Sequence, residues 1–239
     1  MTTKPFHPSD GREVAPEPSS ELNSRRSFLK GMSGMLAAAT ATFGVFDITP
    51  ALAQSGALDA GAGDIGILNL AYALEQVESA FYQMVLERPY RGMGAYEAQI
   101  FEGIRNNETS HREFFRTTLG SNAIPDLPLD FSRVNFGSRS EILNLSRAIE
   151  DAGVSAFNGA GPLLTNPTFL AAAGSIVSVE ARQAALIRDM IRPRSTYFSG
   201  DDVVDAAGLE QPPRVPSQVL AQAPQVRFVR AAITASQLP

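Results

Sequence analysis

The sequence predicts an all-α protein: a four-helix bundle in which one long crossover joins two antiparallel helix pairs, followed by an irregular C-terminal tail. Three observations carry this. Four long segments between residues 64 and 191 repeat apolar side chains at helical spacing. Within each half, a short Gly- or Pro-containing link makes the flanking helices antiparallel neighbours. Between the halves, Ser121 to Arg139 loses the period among Pro125, Asp126, Pro128, Asp130 and Gly137. At ~3.3 Å per residue this connection reaches about 60 Å, against ~35 Å for a helix of about 24 residues, so it can run the length of a bundle.

The first helix is expected from Asp64, as N-cap, to about Arg88, where Pro89 prevents continuation. One face carries Leu68, Ala71, Glu75, Glu78, Tyr82 and Val85, so carboxylates sit inside an apolar stripe. Tyr82 lies two turns beyond Glu75 on the same side. The second helix, about Ala95 to Leu119, ends at Gly120 and aligns Ile104, Glu108, His111 and Phe115. The third, about Ser140 to Ala160, carries Leu143, Ile149, Glu150, Gly153 and Phe157, and is closed by Gly161-Pro162. Asn166 and Pro167 open the fourth, which runs to about Ile191 with Ile176, Glu180, Gln183 and Ile187 on one face. The halves repeat in role. Glu75 with Tyr82 answers Glu150 with Phe157, and Ile104-Glu108-His111 answers Ile176-Glu180-Gln183.

The ends of the chain read differently. Residues 1–23 are rich in Pro, Ser and charge and lack an apolar period, as expected of a disordered leader. There follow Ser24-Arg25-Arg26-Ser27-Phe28-Leu29-Lys30, a short apolar run from Gly31 to Phe46, and Ala51-Leu52-Ala53. Charged region, short apolar region and small-x-small site are the parts of an export signal, with cleavage expected after Ala53. The apolar run is too short and too rich in Gly and Ala to span a ~30 Å hydrocarbon core, so no membrane anchor is expected after cleavage. The paired arginines with Phe-Leu-Lys resemble a twin-arginine (Tat) signal, which implies the Tat machinery as a partner and export of a folded protein, to the periplasm or its equivalent. Residues 54–63 read as a flexible linker. The Pro-rich tail, 192–239, is expected to pack on the outside of the bundle, with a short helix near Pro216 to Ala221, an extended stretch near Val226 to Val229, and no visible chemistry.

Composition narrows the chemistry. The chain has 239 residues and a formal net charge of −5, and removing residues 1–53 takes away five acidic and five basic groups, leaving that balance unchanged. A net-acidic surface without a basic run argues against nucleic acid and anionic membranes as partners. With no cysteine in the sequence, any metal must be held by carboxylate and imidazole, which suit iron and manganese. His111 is the only histidine beyond the leader. Glu108 and His111, three residues apart on a helix, point the same way and can reach one ion. Ionised carboxylates on inward faces cost several kcal/mol each unless paired or metal-bound, so one on each of four helices calls for a cation.

The segments A-L-E-Q-V-E-S-A-F-Y, N-E-T-S-H, E-D-A-G-V-S-A-F-N-G-A and V-E-A-R-Q-A-A resemble the Tat-exported branch of the ferritin-like family that includes desiccation-related proteins. The resemblance covers about Asp64 to Ile191. It implies the ferritin-like topology and a di-metal carboxylate centre, built from one Glu on each of two helices and Glu-x-x-His on the other two. The positions matching the family's ligands are Glu75, Glu108, His111, Glu150 and Glu180, with Glu78 competing with Glu75 on the first helix. Tyr82 matches a tyrosine placed near the metals, able to donate a proton or electron. The departure is Gln183, which stands where the family pattern has a second histidine. Its carbonyl oxygen is a harder, weaker ligand that tilts preference from iron toward manganese. Three outcomes follow: a lopsided pair of ions, one ion near Glu108 and His111, or an empty relic.

The functional expectation is an exported protein whose iron or manganese centre handles oxygen or peroxide in stress or desiccation protection. The alternative is a metal-free structural or stress-protection protein whose buried glutamates are protonated or paired with Arg105, Arg147 or Arg182. A homo-oligomer is compatible with either, and iron storage in a hollow shell is a third option.

Overall fold

The computed structural model describes residues 57–210 and 212–239. The leader, the twin-arginine motif, the Ala53 cleavage site and the start of the linker lie outside the described residues. Four long helices dominate the rest: α1 (Gly63–Glu87), α2 (Ala95–Leu119), α3 (Arg139–Ala160) and α4 (Pro167–Ile191). A 25-residue helix is about 37 Å long. Helix α1 packs chiefly on α2 and α3 chiefly on α4, and α1 also meets α3. This is the all-α, two-pair bundle expected. A two-residue strand, β1 (Leu58–Asp59), pairs in parallel with β2 (Ile233–Thr234) and ties the first described residues to the tail.

The helix ends follow local chemistry. Ser138 caps α3 by accepting from the Glu141 N–H, and Asn166 caps α4 by accepting from the Thr168 N–H, with Pro167 in the first turn. Gly120 closes α2 in the left-handed region at φ 55°. Asp64 does not cap α1 as expected, because the N-cap is Ala62. Its carboxylate instead accepts the N–H groups of Thr165 and Asn166 at 2.9 and 2.8 Å. It remains in the first turn of α1, where the helix dipole favours an anion, while joining that end to the loop entering α4.

The crossover is pinned to α1 by two polar side chains two turns apart. Asn69 donates to the Ala60 and Asn122 carbonyls and accepts from the Ile124 N–H. Gln76 accepts from the Leu127 N–H at 2.8 Å. These bonds satisfy backbone groups of a segment with no ladder of its own, and Ile124, Leu127 and Phe136 can then enter the core. The core centres on Phe81, Phe101, Phe115, Ile142, Ile149 and Ile187, all essentially inaccessible to solvent. By length and composition α4 is apolar enough to cross a membrane, yet its buried positions within the bundle include Glu180, Gln183 and Arg188.

The tail is more deeply engaged than the sequence suggested. Arg188, 1% exposed, binds both oxygens of Asp151 and of Asp202 and lies over the Tyr197 ring. A short helix, α5 (Pro216–Gln222), buries Val219, and together with Ala223 this residue packs against Leu70, Leu74, Ala152 and Ala156. The stretch expected to be extended is instead a 3-10 helix, Pro224–Phe228, which Pro224 starts by fixing φ and which turns Gln225 inward. Upstream, the chain lies directly on α3. Arg214 N–H donates to the Ser155 carbonyl at 2.9 Å, and the Ser155 hydroxyl donates to the Pro212 carbonyl.

Gly159 permits that approach, since a Cβ there would fall 2.0 Å from the Arg214 carbonyl oxygen. Gly159→Ala should therefore lift the tail from α3. The expected net destabilisation is about 1–3 kcal/mol, despite the ~1 kcal/mol that alanine contributes to helix propensity. Thermal melting should show the loss, and limited trypsin digestion should cut faster after Arg214; unchanged cleavage would contradict this docking.

Candidate metal centre

Each long helix places its inward polar positions at the same level of the bundle. Glu75, Glu78, Glu108, Glu150 and Glu180 are at most 1% exposed, and Gln183 is also buried. His111 reaches them from α2 with little exposure of its own. Two groups form around the shared carboxylate of Glu108.

In the first group, His111 Nδ1 lies 3.1 Å from Glu180 Oε1, 3.2 Å from Glu108 Oε2 and 3.5 Å from Glu75 Oε2. One ring nitrogen carries at most one proton, so it cannot satisfy three carboxylates. Both oxygens of Glu75 and both of Glu180 are buried without a hydrogen-bond partner. One ligand atom from each of Glu75, Glu108, His111 and Glu180 lies within 4.8 Å of the others. Ligands at right angles around an ion with ~2.1 Å bonds are about 3 Å apart, close to the separations from the histidine nitrogen. The unpartnered oxygens and the carboxylate–imidazole donor set therefore fit a hard or borderline divalent ion such as iron or manganese.

In the second group the carboxylates meet hydrogen-bond donors. The Tyr82 hydroxyl donates to Glu150 Oε1. Gln183 Nε2 donates to Glu108 Oε1 at 2.5 Å and reaches Glu150 Oε2 at 3.4 Å, while Gln183 Oε1 accepts from Asn107 Nδ2 at 3.0 Å. Glu78, beside Glu180 over Gly153, accepts from Gln225 Nε2 at 2.6 Å. That amide also donates to the Ile149 carbonyl. Gly153 makes room for these side chains, because a Cβ there would lie 2.9 Å from Glu180 Oε2 and 3.5 Å from Glu78 Oε1.

The sequence-derived residues thus divide. Glu75, Glu108, His111 and Glu180 converge; Glu150, Gln183 and Tyr82 form the adjoining hydrogen-bonded group; Glu78 turns to the tail. Sequence reasoning gave no role to Asn107, although it opens the N-E-T-S-H motif, or to Gln225. Asn107 precedes Glu108 by one residue, about 100° around the helix, so the inward stripe does not mark it. Gln225 lies outside any long periodic segment. The arginines considered as partners go elsewhere. Arg105 binds Gln83 and Asn106, Arg147 binds Asp151, and Arg182 is exposed. Among the described residues no arginine forms an ion pair with the five glutamates.

Burial dominates the electrostatics. It raises the carboxyls of Glu75, Glu78 and Glu150 well above the usual range, reinforced by neighbouring glutamates. It raises Glu180 to about 7. The Tyr82 phenol is raised by burial and then by Glu150. For His111 burial favours the neutral ring, but Glu75, Glu108 and Glu180 outweigh it and raise the imidazole well above its usual value. Without a metal, protons are the cations this cluster retains.

Residues 63–193, more than half of the chain, match the family model described as a ferritin-like domain. The chain belongs to the ferritin-like family. No curated protein matches it in sequence. Within this ferritin-like domain lies a buried Glu/His group that could hold a metal ion.

A pH dependence follows for metal-free protein. Glu180 is raised from 4.5 to about 7, so its stabilising contribution is complete below its unfolded value and is lost as pH rises through about 7. His111 acts in the same direction above 6.5. Asp64, Glu97, Glu113, Asp130 and Asp202 are lowered and act oppositely, but their gain is complete once pH exceeds the unfolded values of 3.8 and 4.5. Metal-stripped protein should therefore lose thermal stability between about pH 5 and pH 7, and saturating manganese(II) should flatten that slope. Scanning calorimetry across this window checks it; a pH-independent Tm of the stripped protein contradicts it.

Proposed function

We propose that this chain is an exported ferritin-like protein that binds iron or manganese in its buried carboxylate–imidazole centre and handles oxygen or peroxide there, in protection against stress or desiccation. The observation that carries the reading is the convergence of Glu75, Glu108, His111 and Glu180, with four buried carboxylate oxygens of Glu75 and Glu180 left unpartnered. A bound iron or manganese ion would supply Lewis acidity and one-electron redox chemistry.

The chain's own residues set the conditions for that chemistry. Glu75 and His111 would hold the ion from the α1–α2 side, and Glu180 from α4. Glu108 faces both groups through its two oxygens and links them. The helix-lined interior excludes bulk water, which strengthens each charge interaction. Tyr82 holds a proton on its hydroxyl, directed at Glu150 Oε1. The Arg25-Arg26 pair followed by Phe28-Leu29-Lys30 supports export of the folded, loaded protein through the Tat machinery.

One observation favours a second reading, a metal-free structural protein. Glu78 and Glu150 are held by Gln225, Gln183 and Tyr82, donors that suit carboxyls without a metal. Elemental analysis of protein made with its export route intact separates the two. The metal reading predicts at least about 0.8 iron or manganese per chain, falling below about 0.2 in His111→Ala. Wild-type content below about 0.2 contradicts it.

A further inference from the structure

The two groups of the centre are not equivalent, and their difference bears on how many ions the chain holds. Among the described residues, the buried carboxylate oxygens that make no hydrogen bond are those of Glu75 and Glu180. With Glu108 and His111 these two residues offer one ligand atom each, four in all, within 4.8 Å of one another, a carboxylate–imidazole set that suits a single iron or manganese ion. Around Glu150 every carboxylate oxygen already has a donor. Tyr82 serves Oε1 and Gln183 serves Oε2, while the same Gln183 nitrogen serves Glu108 Oε1.

We propose that this centre takes one cation rather than two, held by Glu75, Glu108, His111 and Glu180, and that the Gln183 amide, fixed by Asn107, occupies the locus of a second ion between Glu108 and Glu150. The inference rests on the metal-binding reading above and goes beyond it by assigning the count and the residue that sets it.

The orientation of Gln183 carries the argument. A side-chain amide has two N–H donors on one end and an acceptor on the other. Here the donor end faces two carboxylates and the only atom able to ligate, Oε1, is turned to Asn107 Nδ2 at 3.0 Å. Rotating the amide would bring an oxygen to the position of Nε2, 2.5 Å from Glu108 Oε1, where two acceptors repel. It would also oppose the Asn107 amide, donor to donor, unless Asn107 rotated in step. An imidazole at position 183 would lack this constraint, since one of its nitrogens can present a lone pair to an ion.

Manganese(II) titration of the stripped, full exported protein tests this, with bound metal counted by elemental analysis and the spins read by electron paramagnetic resonance. The expected result is about one manganese per chain with the signal of an isolated ion. Gln183→His should bind about two, with a spin-coupled signal, and Gln183→Leu, which removes the amide without adding a ligand, should stay at about one. Two ions in the wild type would overturn this inference and leave the metal-binding reading standing; fewer than about 0.2 would overturn both. Gln183→His that folds, by circular dichroism, yet stays at one ion would overturn the role given to Gln183. If that variant does not fold, the wild-type count and spin signal still decide.

Discussion

Five glutamate side chains are buried in the interior of this bundle, none more than 1% exposed, and no arginine among the described residues neutralises them. An ionised carboxylate taken out of water costs several kcal/mol unless a cation or hydrogen-bond donors compensate. Much of the fold can be understood as the means of compensation. His111 is set against three of the five, Tyr82 and Gln183 complete Glu150, and the tail delivers Gln225 to Glu78. Gly153 leaves the space in which Glu180 and Glu78 can sit. Beyond the shared His111 nitrogen, the oxygens of Glu75 and Glu180 have no hydrogen-bond partner, and with Glu108 and His111 they form the group that could hold a metal ion.

The two halves of the chain, alike in the positions of their inward polar groups, differ in what those groups do. Helices α1 and α2 supply a carboxylate–imidazole set with open valence, whereas α3 contributes a glutamate already closed by hydrogen bonds. Helix α4 serves both, through Glu180 on one side and Gln183 on the other. The tail belongs to the same design. Its docking through Ser155, Gly159 and the Arg188 network accompanies the insertion of Gln225 between Glu78 and the Ile149 carbonyl. Part of the centre's environment is thus set by residues beyond the matched domain.

The four helices, their pairing and the inward placement of Glu75, Glu108, His111, Glu150 and Glu180 were legible in the sequence because each is a local, periodic property: 3.6 residues per turn fixes which side chains share a face. The crossover was legible as a length. Its attachment was not, because Asn69 and Gln76 bind backbone groups about 50 residues away and no spacing rule marks them. The same holds for Asp64, whose partners lie about 100 residues on, and for Gln225, 147 residues from Glu78. The position of Gln183 was visible as a departure, but its orientation depends on Asn107, on another helix and off the inward stripe.

The central claim is that Glu75, Glu108, His111 and Glu180 enclose a metal ion, and anomalous diffraction at the iron and manganese edges tests it most directly, on crystals of the protein exported by its own route. The account predicts a peak within about 2.0–2.5 Å of His111 Nδ1 and of oxygens from all three glutamates. No peak at that position, with the Glu75 and Glu180 oxygens hydrogen-bonded to ordered water or to other side chains, would contradict it.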